Sequence, residues 1–176
     1  LIVFKGSKIR LTPIRKEDLP IYRQWTSEES FGRFYTSSPI REESEKNAIQ
    51  LIDDHSDRSY RFAIRPLTTE DFLGVCAIEE IEWPHRVGWT SIALGPDFQG
   101  KGFGKDAMQL VVNYAFNELN LHRLSLTVFS YNQGAITLYE SLGFRHEGTY
   151  REFLQRDGKR HDMHLYGLLA TDVAKA

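Results

Sequence analysis

Residues 87–119 read VGWTSIALGPDFQGKGFGKDAMQLVVNYAFNEL, and this stretch decides the fold. Its first part, Val87–Leu94, is rich in residues that favour strands. Its last part, Gly102–Leu119, repeats apolar residues at helical spacing. Between them lies the glycine-rich segment QGKGFGK, Gln99–Lys105. The sequence therefore predicts a strand that leads through this loop into the N-terminus of a helix.

The loop has the properties of an anion site. The first amides of a helix lack intrahelical partners, and the helix dipole favours negative charge at that end. Glycines let the backbone approach phosphate oxygens, and lysines add positive charge, although an ordinary tight turn also uses glycines. The candidate contacts are Gln99, Gly100, Lys101, Gly102, Phe103, Gly104 and Lys105.

Two familiar phosphate motifs do not fit the loop. The nucleotide-binding P-loop needs Ser or Thr after Gly-Lys, but Asp106 follows Gly104-Lys105. The dinucleotide fingerprint needs a glycine where Lys105 stands. The sequence therefore predicts a pyrophosphate site of another kind.

The rest of the chain gives the fold class. Strands are predicted at 9–15, 60–64, 72–81, 87–94, 122–130, 144–154 and 161–169, and helices at 18–25, 42–54, 102–119 and 132–142. The stretch 26–39 is predicted as a loop. This order predicts a mixed α/β (α+β) domain whose first half is an antiparallel meander. No linker divides the chain, so residues 1–176 are expected to form a single domain.

Composition narrows the function classes. The net charge of −2 argues against a dedicated nucleic-acid binder. The single cysteine, Cys76, excludes an internal disulfide and a cysteine-rich zinc site. No signal peptide or stretch of about 18 apolar residues is present, so we expect no membrane association and a cytoplasmic location.

A second group of motifs follows the glycine-rich loop. It consists of Asn132, Ala135, Leu138-Tyr139-Glu140 and Leu142-Gly143-Phe144, then Glu147-Gly148 with Arg151, and an Asp157-Gly158 turn leading to Asp162. With Gln99-x-x-Gly102-x-Gly104, which is similar to the Q/R-x-x-G-x-G/A motif, this set resembles the GNAT superfamily of N-acetyltransferases. The resemblance extends over the chain, is strongest from Val87 to Leu169, and is closest to the branch acting on ribosomal-protein N-termini and polyamines.

The resemblance implies both fold and activity. The fold would be a mainly antiparallel sheet of about seven strands with about four helices, whose splayed central strands form an acetyl-CoA cleft. The activity would be transfer of acetyl from acetyl-CoA to a primary amine by direct attack, with no metal. The acceptor would be a protein N-terminus, a polyamine or another small amine. Family members are often dimers, so a homodimer is also expected.

The resemblance assigns roles to individual residues. Tyr139 matches the family's general acid near the thioester sulfur, and a phenol with a pKa of about 10 is protonated at neutral pH. Simple packing of Tyr139 in the core is the alternative. Asn132 is expected to contact the pantetheine arm, to cap its helix, or both. Ile92 and Leu94 are expected to pair with pantetheine through main-chain atoms, like an added strand.

The general base is the least defined role. No carboxylate occurs in Trp89–Leu94, where many family members have a glutamate. Glu80 is therefore the first candidate, with Glu79 and Glu82 beside it, and a water chain is the alternative. Strand alternation predicts that Glu80 and Glu82 share a face and that Glu79 points the other way.

Other features leave alternatives open. His161 and His164 suggest a metal site, but on a strand they would face opposite sides. Four aromatic residues are predicted either to line an acceptor pocket or to form ordinary core: Trp25, Phe31, Phe34 and Tyr35. Five glutamates are predicted either to attract a cationic amine or to lie on a solvated surface: Glu28, Glu29, Glu42, Glu43 and Glu45. A non-catalytic acyl-CoA-binding or regulatory module remains the alternative function.

Overall fold

In the computed structural model, residues 3–52 and 56–173 are described, and within them the chain forms one seven-stranded sheet. The strands are β1 Ile9–Thr12, β2 Tyr60–Pro66, β3 Gly74–Glu82, β4 Val87–Leu94, β5 Arg123–Phe129, β6 Arg145–Arg156 and β7 Lys159–Leu169. The helices are α1 Leu19–Ser27, α2 Glu29–Tyr35, α3 Glu45–Ala48, α4 Phe103–Asn113, α5 Gln133–Ser141 and α6 Ala170–Val173, with a π-helical turn Tyr114–Glu118 after α4. Short 3-10 turns span Lys16–Asp18, Ile49–Leu51 and Pro96–Phe98.

The spatial order of the strands is β1-β2-β3-β4-β5-β7-β6. All neighbours run antiparallel except β4 and β5, which are parallel and are connected through α4. A parallel connection needs such a crossover, whereas the hairpins need only turns. The predicted mixed, mainly antiparallel fold is confirmed.

Side chains divide between the two faces of the sheet. On the face covered by α4 and α5, the core includes Met108, Val111 and Leu124. On the other face, which we call the insertion face, α1 and α2 bury Trp25 and Phe31 against the sheet. Strand side chains alternate between the two faces of the sheet, and each helix turns one apolar face towards it. The sheet therefore has one layer of apolar residues on each side.

The two central strands separate after a short contact. β4 and β5 are paired at Val87 with Arg123, Gly88 with Leu124, and Trp89 with Ser125, and not beyond. Each strand keeps its other neighbour: β4 pairs with β3 up to Leu94, and β5 pairs with β7 up to Phe129. The resulting gap between residues 90–94 and 126–129 is called the splay below. It matches the splayed central strands that the resemblance implies.

The insertion between β1 and β2 differs from the prediction. The stretch 26–39 was expected to be a loop, but it contains α2, because Phe31 and Gly32 are buried and Phe31 stacks on Tyr35 one turn later with ring centroids 5.4 Å apart. The helix predicted at 42–54 is reduced to α3 and a 3-10 turn. Residues 53–54 of that prediction lie outside the described residues.

A β-bulge also interrupts the predicted alternation in β3. The register shifts between Glu79 and Glu82, and Glu80 adopts a positive φ of 50°. A bulge inserts one unpaired residue, which breaks the period of two. The prediction that Glu80 and Glu82 share a face through regular alternation is therefore wrong.

Candidate active site

The glycine-rich loop leads directly into α4. Gly100 and Gly102 have positive φ values of 72° and 83°, a conformation that favours glycine. The Asp106 amide donates to the Gly102 carbonyl at 3.2 Å, which is the first hydrogen bond of the helix. The amides of residues 102–105 consequently have no partner within the helix. The loop is also braced by Gln99, whose Nε2 donates to the Leu94 carbonyl at 3.1 Å.

Gly104 lets this loop approach the end of β4 and the side of α5. A Cβ atom at Gly104 would lie 3.3 Å from Leu94 Cδ1 and 3.5 Å from Leu138 Cδ2. The loop, the open part of β4 and the helix that carries Tyr139 therefore meet at one point. The sequence placed these segments in separate motifs, and the structure brings them together.

The register of β4 determines which backbone groups face the splay. The Gly95 amide donates to the Leu73 carbonyl at 2.9 Å, so Gly95 is bonded towards β3. In an antiparallel pair the bonded positions recur every second residue, and the intervening residues point their amides and carbonyls away. Ile92 and Leu94 are such residues, so their main-chain groups face the splay. Their side chains pack on the α4 side of the core.

Tyr139 lies in α5 on the α4 side of the sheet. The residue is 6% exposed, and its ring packs 5.8 Å from that of Phe144. Burial raises the pKa of Tyr139 to about 12. Within the described chain, no residue forms a hydrogen bond with its hydroxyl. The phenol is thus held protonated and keeps its proton available for a ligand.

Asn132 has two structural contacts. Its Oδ1 accepts from the Ala135 amide at 3.2 Å, which is the N-cap of α5, and its Nδ2 approaches the Phe34 carbonyl at 3.5 Å. The capping role is therefore directly visible. Beside it, the Tyr131 hydroxyl donates to the Arg33 carbonyl, so that the end of α2 is fixed next to the open end of the splay.

The carboxylates of β3 have different surroundings. Glu79 accepts a hydrogen bond from Arg61 at 2.7 Å and lies near two tyrosines of the insertion helices. Glu80 is exposed, and in the described residues its carboxylate takes part in no hydrogen bond or ion pair. No contact of the described residues joins Glu80 to Tyr139. Glu79, which the sequence ranks lower, is the carboxylate that faces the insertion helices.

Polar groups converge on the insertion face near these strands. Tyr22 and Tyr35 are hydrogen-bonded to each other. Burial raises the pKa of Tyr22, and the negative charges of Glu43 and Glu79 raise it further. Glu43 Oε1 is buried without a hydrogen-bond partner among the described residues. A buried carboxylate oxygen of this kind favours a cationic or N–H-bearing ligand. Of the aromatic residues weighed for this pocket, Trp25 and Phe31 belong to the core, whereas Phe34 is exposed.

The sequence missed two residues at the glycine-rich loop. Lys8 extends over the loop, with its Nζ donating to the Lys101 carbonyl at 3.0 Å. Asp106 accepts from the Lys8 amide at 2.7 Å and so fixes the chain before β1 next to α4. These contacts join residues almost a hundred positions apart, and no local pattern reveals them.

The remaining candidates have ordinary surroundings. His164 Nδ1 lies 2.9 Å from Thr149 Oγ1, whereas His161 packs edge-to-face against Tyr131 with ring centroids 5.0 Å apart. In the part of the chain that is described, no three His, Cys, Asp or Glu side chains are placed to hold a metal ion. Cys76 is 1% exposed, and burial raises the pKa of its thiol. No helix in the same part is long and apolar enough to cross a membrane.

Comparison with known proteins gives a consistent assignment. A family model described as an acetyltransferase (GNAT) domain matches residues 8–145. The spermidine N(1)-acetyltransferase of Escherichia coli strain K12 is 31% identical over 80% of this chain and 74% of its own length. An uncharacterized N-acetyltransferase, p20, of Bacillus licheniformis is 28% identical over 95% of this chain and 96% of its own length.

A solved structure agrees with the sequence relatives. The crystal structure of spermidine N-acetyltransferase from Vibrio cholerae in complex with CoA and spermine has a TM-score of 0.83 at 25% identity. The similarity covers 94% of this chain and 98% of that one. The matched domain and the splayed sheet agree with one another. The chain therefore belongs to the GNAT acetyltransferase family and is an N-acetyltransferase that uses acetyl-CoA.

Proposed function

We propose that this N-acetyltransferase acts on a polyamine and that its reaction takes place at the splay. The observation that supports the placement is the meeting of the loop, the open edge of β4 and the helix that carries Tyr139, which approaches Gly104 through Leu138. The loop would hold the CoA pyrophosphate through the amides of residues 102–105, with Gln99 and Gly100 shaping the turn. Lys101 and Lys105, both exposed, would add positive charge, and Phe103 would keep the helix start packed on the core.

The pantetheine arm would extend from the loop into the splay. There Ile92 and Leu94 present main-chain groups that lack a partner strand, and an extended amide chain can pair with them. Asn132 would contact the arm through Nδ2, whose one contact within residues 3–52 and 56–173 is a long one of 3.5 Å with the Phe34 carbonyl. This path leads the thioester towards Tyr139.

In the acetyl transfer, one proton is delivered to the leaving sulfur and one is removed from the attacking nitrogen. A neutral primary amine attacks the thioester carbonyl of acetyl-CoA, the new C–N bond forms and the C–S bond breaks. The Tyr139 hydroxyl gives its proton to the departing sulfur, and the nitrogen loses one proton to a base. We propose Glu80 as this base, because its exposed carboxylate is not engaged by another described residue, with water between it and the amine.

The polar groups on the insertion face support a polycationic acceptor. A polyamine carries a second ammonium group at a distance from the reacting nitrogen, and Glu43, whose Oε1 has no partner among the described residues, offers negative charge next to the phenols of Tyr22 and Tyr35. The relatives from Escherichia coli and Vibrio cholerae are spermidine acetyltransferases, which supports the same class of acceptor. A protein N-terminus carries no such second charge.

The test is release of free CoA from acetyl-CoA by the purified protein with spermidine, spermine, putrescine and a peptide. A mass gain of one acetyl group on the polyamines, with a higher kcat/KM than for the peptide, is expected. Acetylation of the peptide alone would refute the polyamine assignment. Binding of acetyl-CoA without turnover on any amine would favour a non-catalytic acyl-CoA-binding module.

The Gly102→Asp variant should weaken CoA binding by about 100-fold or more, because a carboxylate within about 4 Å of a phosphate is repelled by several kcal/mol. Isothermal titration calorimetry with CoA measures the change. Gly102→Asn is the matched control, since it has the same left-handed backbone strain at φ 83° without the charge. If Gly102→Asp binds CoA as tightly as Gly102→Asn, the loop does not hold the pyrophosphate.

Three broader assignments complete the proposal. We infer that residues 1–176 form one acetyltransferase domain, because the late strand β7 is an interior strand of the sheet between β5 and β6. We also propose a cytoplasmic location, where acetyl-CoA is a common metabolite. Self-association, as a homodimer or larger, is supported by a related spermidine N-acetyltransferase of Vibrio cholerae that is described as dodecameric, with a TM-score of 0.78.

A further inference from the structure

We propose that Lys8, from the segment before β1, is a further CoA-binding residue that contacts the diphosphate at the glycine-rich loop. The inference rests on the proposed placement of CoA on the glycine-rich loop. It adds a residue that lies outside both motifs and more than ninety positions before the loop. Its basis is a rigid attachment of residues 7–9 to the first turn of α4.

Asp106 provides that attachment. Its carboxylate accepts hydrogen bonds from three successive amides, those of Ser7 at 3.1 Å, Lys8 at 2.7 Å and Ile9 at 3.0 Å. The Ser7 hydroxyl adds a fourth bond at 3.2 Å. Partial burial raises the pKa of the Asp106 carboxyl, but these hydrogen bonds outweigh it and lower the pKa below its usual value. The backbone at Lys8 is thus held in register with the helix start.

Gly6 makes the close approach possible. A Cβ atom at this position would lie 2.5 Å from Asp106 Oδ2, which is closer than any side chain tolerates. The Gly6 amide also donates to the Ile9 carbonyl at 2.8 Å and closes a tight turn. The turn and the carboxylate together direct the Lys8 side chain over the loop.

The Lys8 ammonium lies directly at the loop. Its Nζ donates to the Lys101 carbonyl at 3.0 Å and would be 2.8 Å from a Cβ atom at Gly102. An ammonium group has three donors, so two remain for a ligand. Gly102 is also the residue where the unpaired amides of α4 begin. An anion bound by those amides therefore lies within reach of Lys8.

Electrostatics favour this position over an ordinary surface lysine. Asp106 places a negative charge in the same helical turn that would face the diphosphate, and its lone pairs are directed at the amides of residues 7–9. Lys8 then restores positive potential on the ligand side of the turn. Because its backbone is already fixed, Lys8 loses less conformational entropy on binding than a lysine on a mobile segment.

The test compares Lys8→Ala with the unchanged protein against three ligands: CoA, 3′-dephospho-CoA and pantetheine. We expect Lys8→Ala to raise the Kd for CoA and for 3′-dephospho-CoA about tenfold, the usual effect of one charge-assisted hydrogen bond. The Kd for pantetheine, which lacks the diphosphate, should not change. The salt dependence of CoA binding should also become shallower, because one phosphate contact is lost.

Lys5→Ala is the matched control, since Lys5 is an exposed lysine of the same segment and would leave all three affinities unchanged. Three results would overturn the role of Lys8: no change with CoA, an equal loss with pantetheine, or a loss with CoA that is absent with 3′-dephospho-CoA. The third result would place Lys8 at the 3′-phosphate instead.

The Gly102→Asp variant separates this inference from the loop assignment. If Gly102→Asp weakens CoA binding and Lys8→Ala does not, the loop holds the diphosphate without Lys8. If neither variant changes the Kd for CoA, the placement on the loop is itself wrong.

Discussion

Replacing Tyr139 with phenylalanine is expected to lower kcat by about 10²- to 10⁴-fold, the usual contribution of a general acid, and to leave the Kd for acetyl-CoA unchanged. The variant removes one hydroxyl from a residue that is 6% exposed and keeps the ring that packs on Phe144. No hydrogen bond among the described residues is lost with it. Stopped-flow measurement of thiol release, with calorimetry of acetyl-CoA binding, separates the two quantities.

Tyr166→Phe is the control for this result. Tyr166 is also buried, at 3% exposure, and its hydroxyl contacts Glu140 at 2.9 Å on the same helix that carries Tyr139. Loss of the Tyr166 hydroxyl should slightly lower the free energy of unfolding and change kcat by no more than about twofold. A Tyr139→Phe enzyme that keeps its full kcat would show that Tyr139 is a packing residue.

The pH dependence provides a second readout of the same role. Because burial raises the pKa of Tyr139 to about 12, the phenol stays protonated throughout the range in which the protein is assayed. The kcat profile should therefore show no falling limb between about pH 7 and 10, the range below the ordinary phenol pKa. A falling limb in that range that disappears in Tyr139→Phe would show that the phenol is ionised more easily than its burial implies.

Replacing Arg65 with methionine is expected to lower the free energy of unfolding by about 3–5 kcal/mol. Arg65 and Asp18 form an ion pair of 2.6 Å, with side chains only 1% and 5% exposed. Arg65 also donates to Thr12 Oγ1 at 2.9 Å and to the Glu70 carbonyl at 2.7 Å. The variant leaves the Asp18 carboxylate buried with the Arg15 amide as its one remaining donor among the described residues.

Urea unfolding followed by circular dichroism measures the loss. Arg10→Met is the matched control, because Arg10 pairs with Glu70 where the two side chains are 24% and 65% exposed, and its loss should cost clearly less than that of Arg65. The double variant Asp18→Leu/Arg65→Met should recover much of the stability, since a buried pair replaced by apolar residues costs little. Equal losses of unfolding free energy in Arg65→Met and Arg10→Met would show that burial does not determine how much an ion pair contributes to stability.

Most of the fold follows from local patterns in the sequence. Strands such as Val87–Leu94 and the long helix after Gly102 have a clear period, and the structure confirms them. The insertion is harder to predict, because α2 is stabilised by the burial of Phe31 and Gly32 and not by its own propensity. The bulge at Glu80 also cannot be predicted from the local sequence, because it is defined by how β3 pairs with β4.

The candidate site likewise combines residues that local motifs reveal with residues that only tertiary contacts bring together. The loop motif and the motif around Tyr139 are continuous in sequence, so both were found, and the structure brings them together through Gly104. Lys8 reaches the loop only because Asp106 fixes the start of β1, and Tyr22 meets Glu79 only after α1 packs on β3. Contacts between distant segments depend on tertiary packing, which a single sequence does not encode in any local period.

The three residue pairs that join β4 to β5 also bear on how the chain folds. Every strand before residue 94 lies on one side of that junction and every strand after residue 123 on the other. Only β2–β3, β3–β4 and β6–β7 pair strands that follow each other directly through short turns, and such pairing has low contact order and is expected to be fast. The β4–β5 junction joins residues 36 positions apart through the α4 crossover, and the β5–β7 pairing joins residues 34 to 46 positions apart. Pulse-labelled amide exchange should therefore protect the β2–β4 meander and the β6–β7 hairpin before Trp89 and Ser125 become protected.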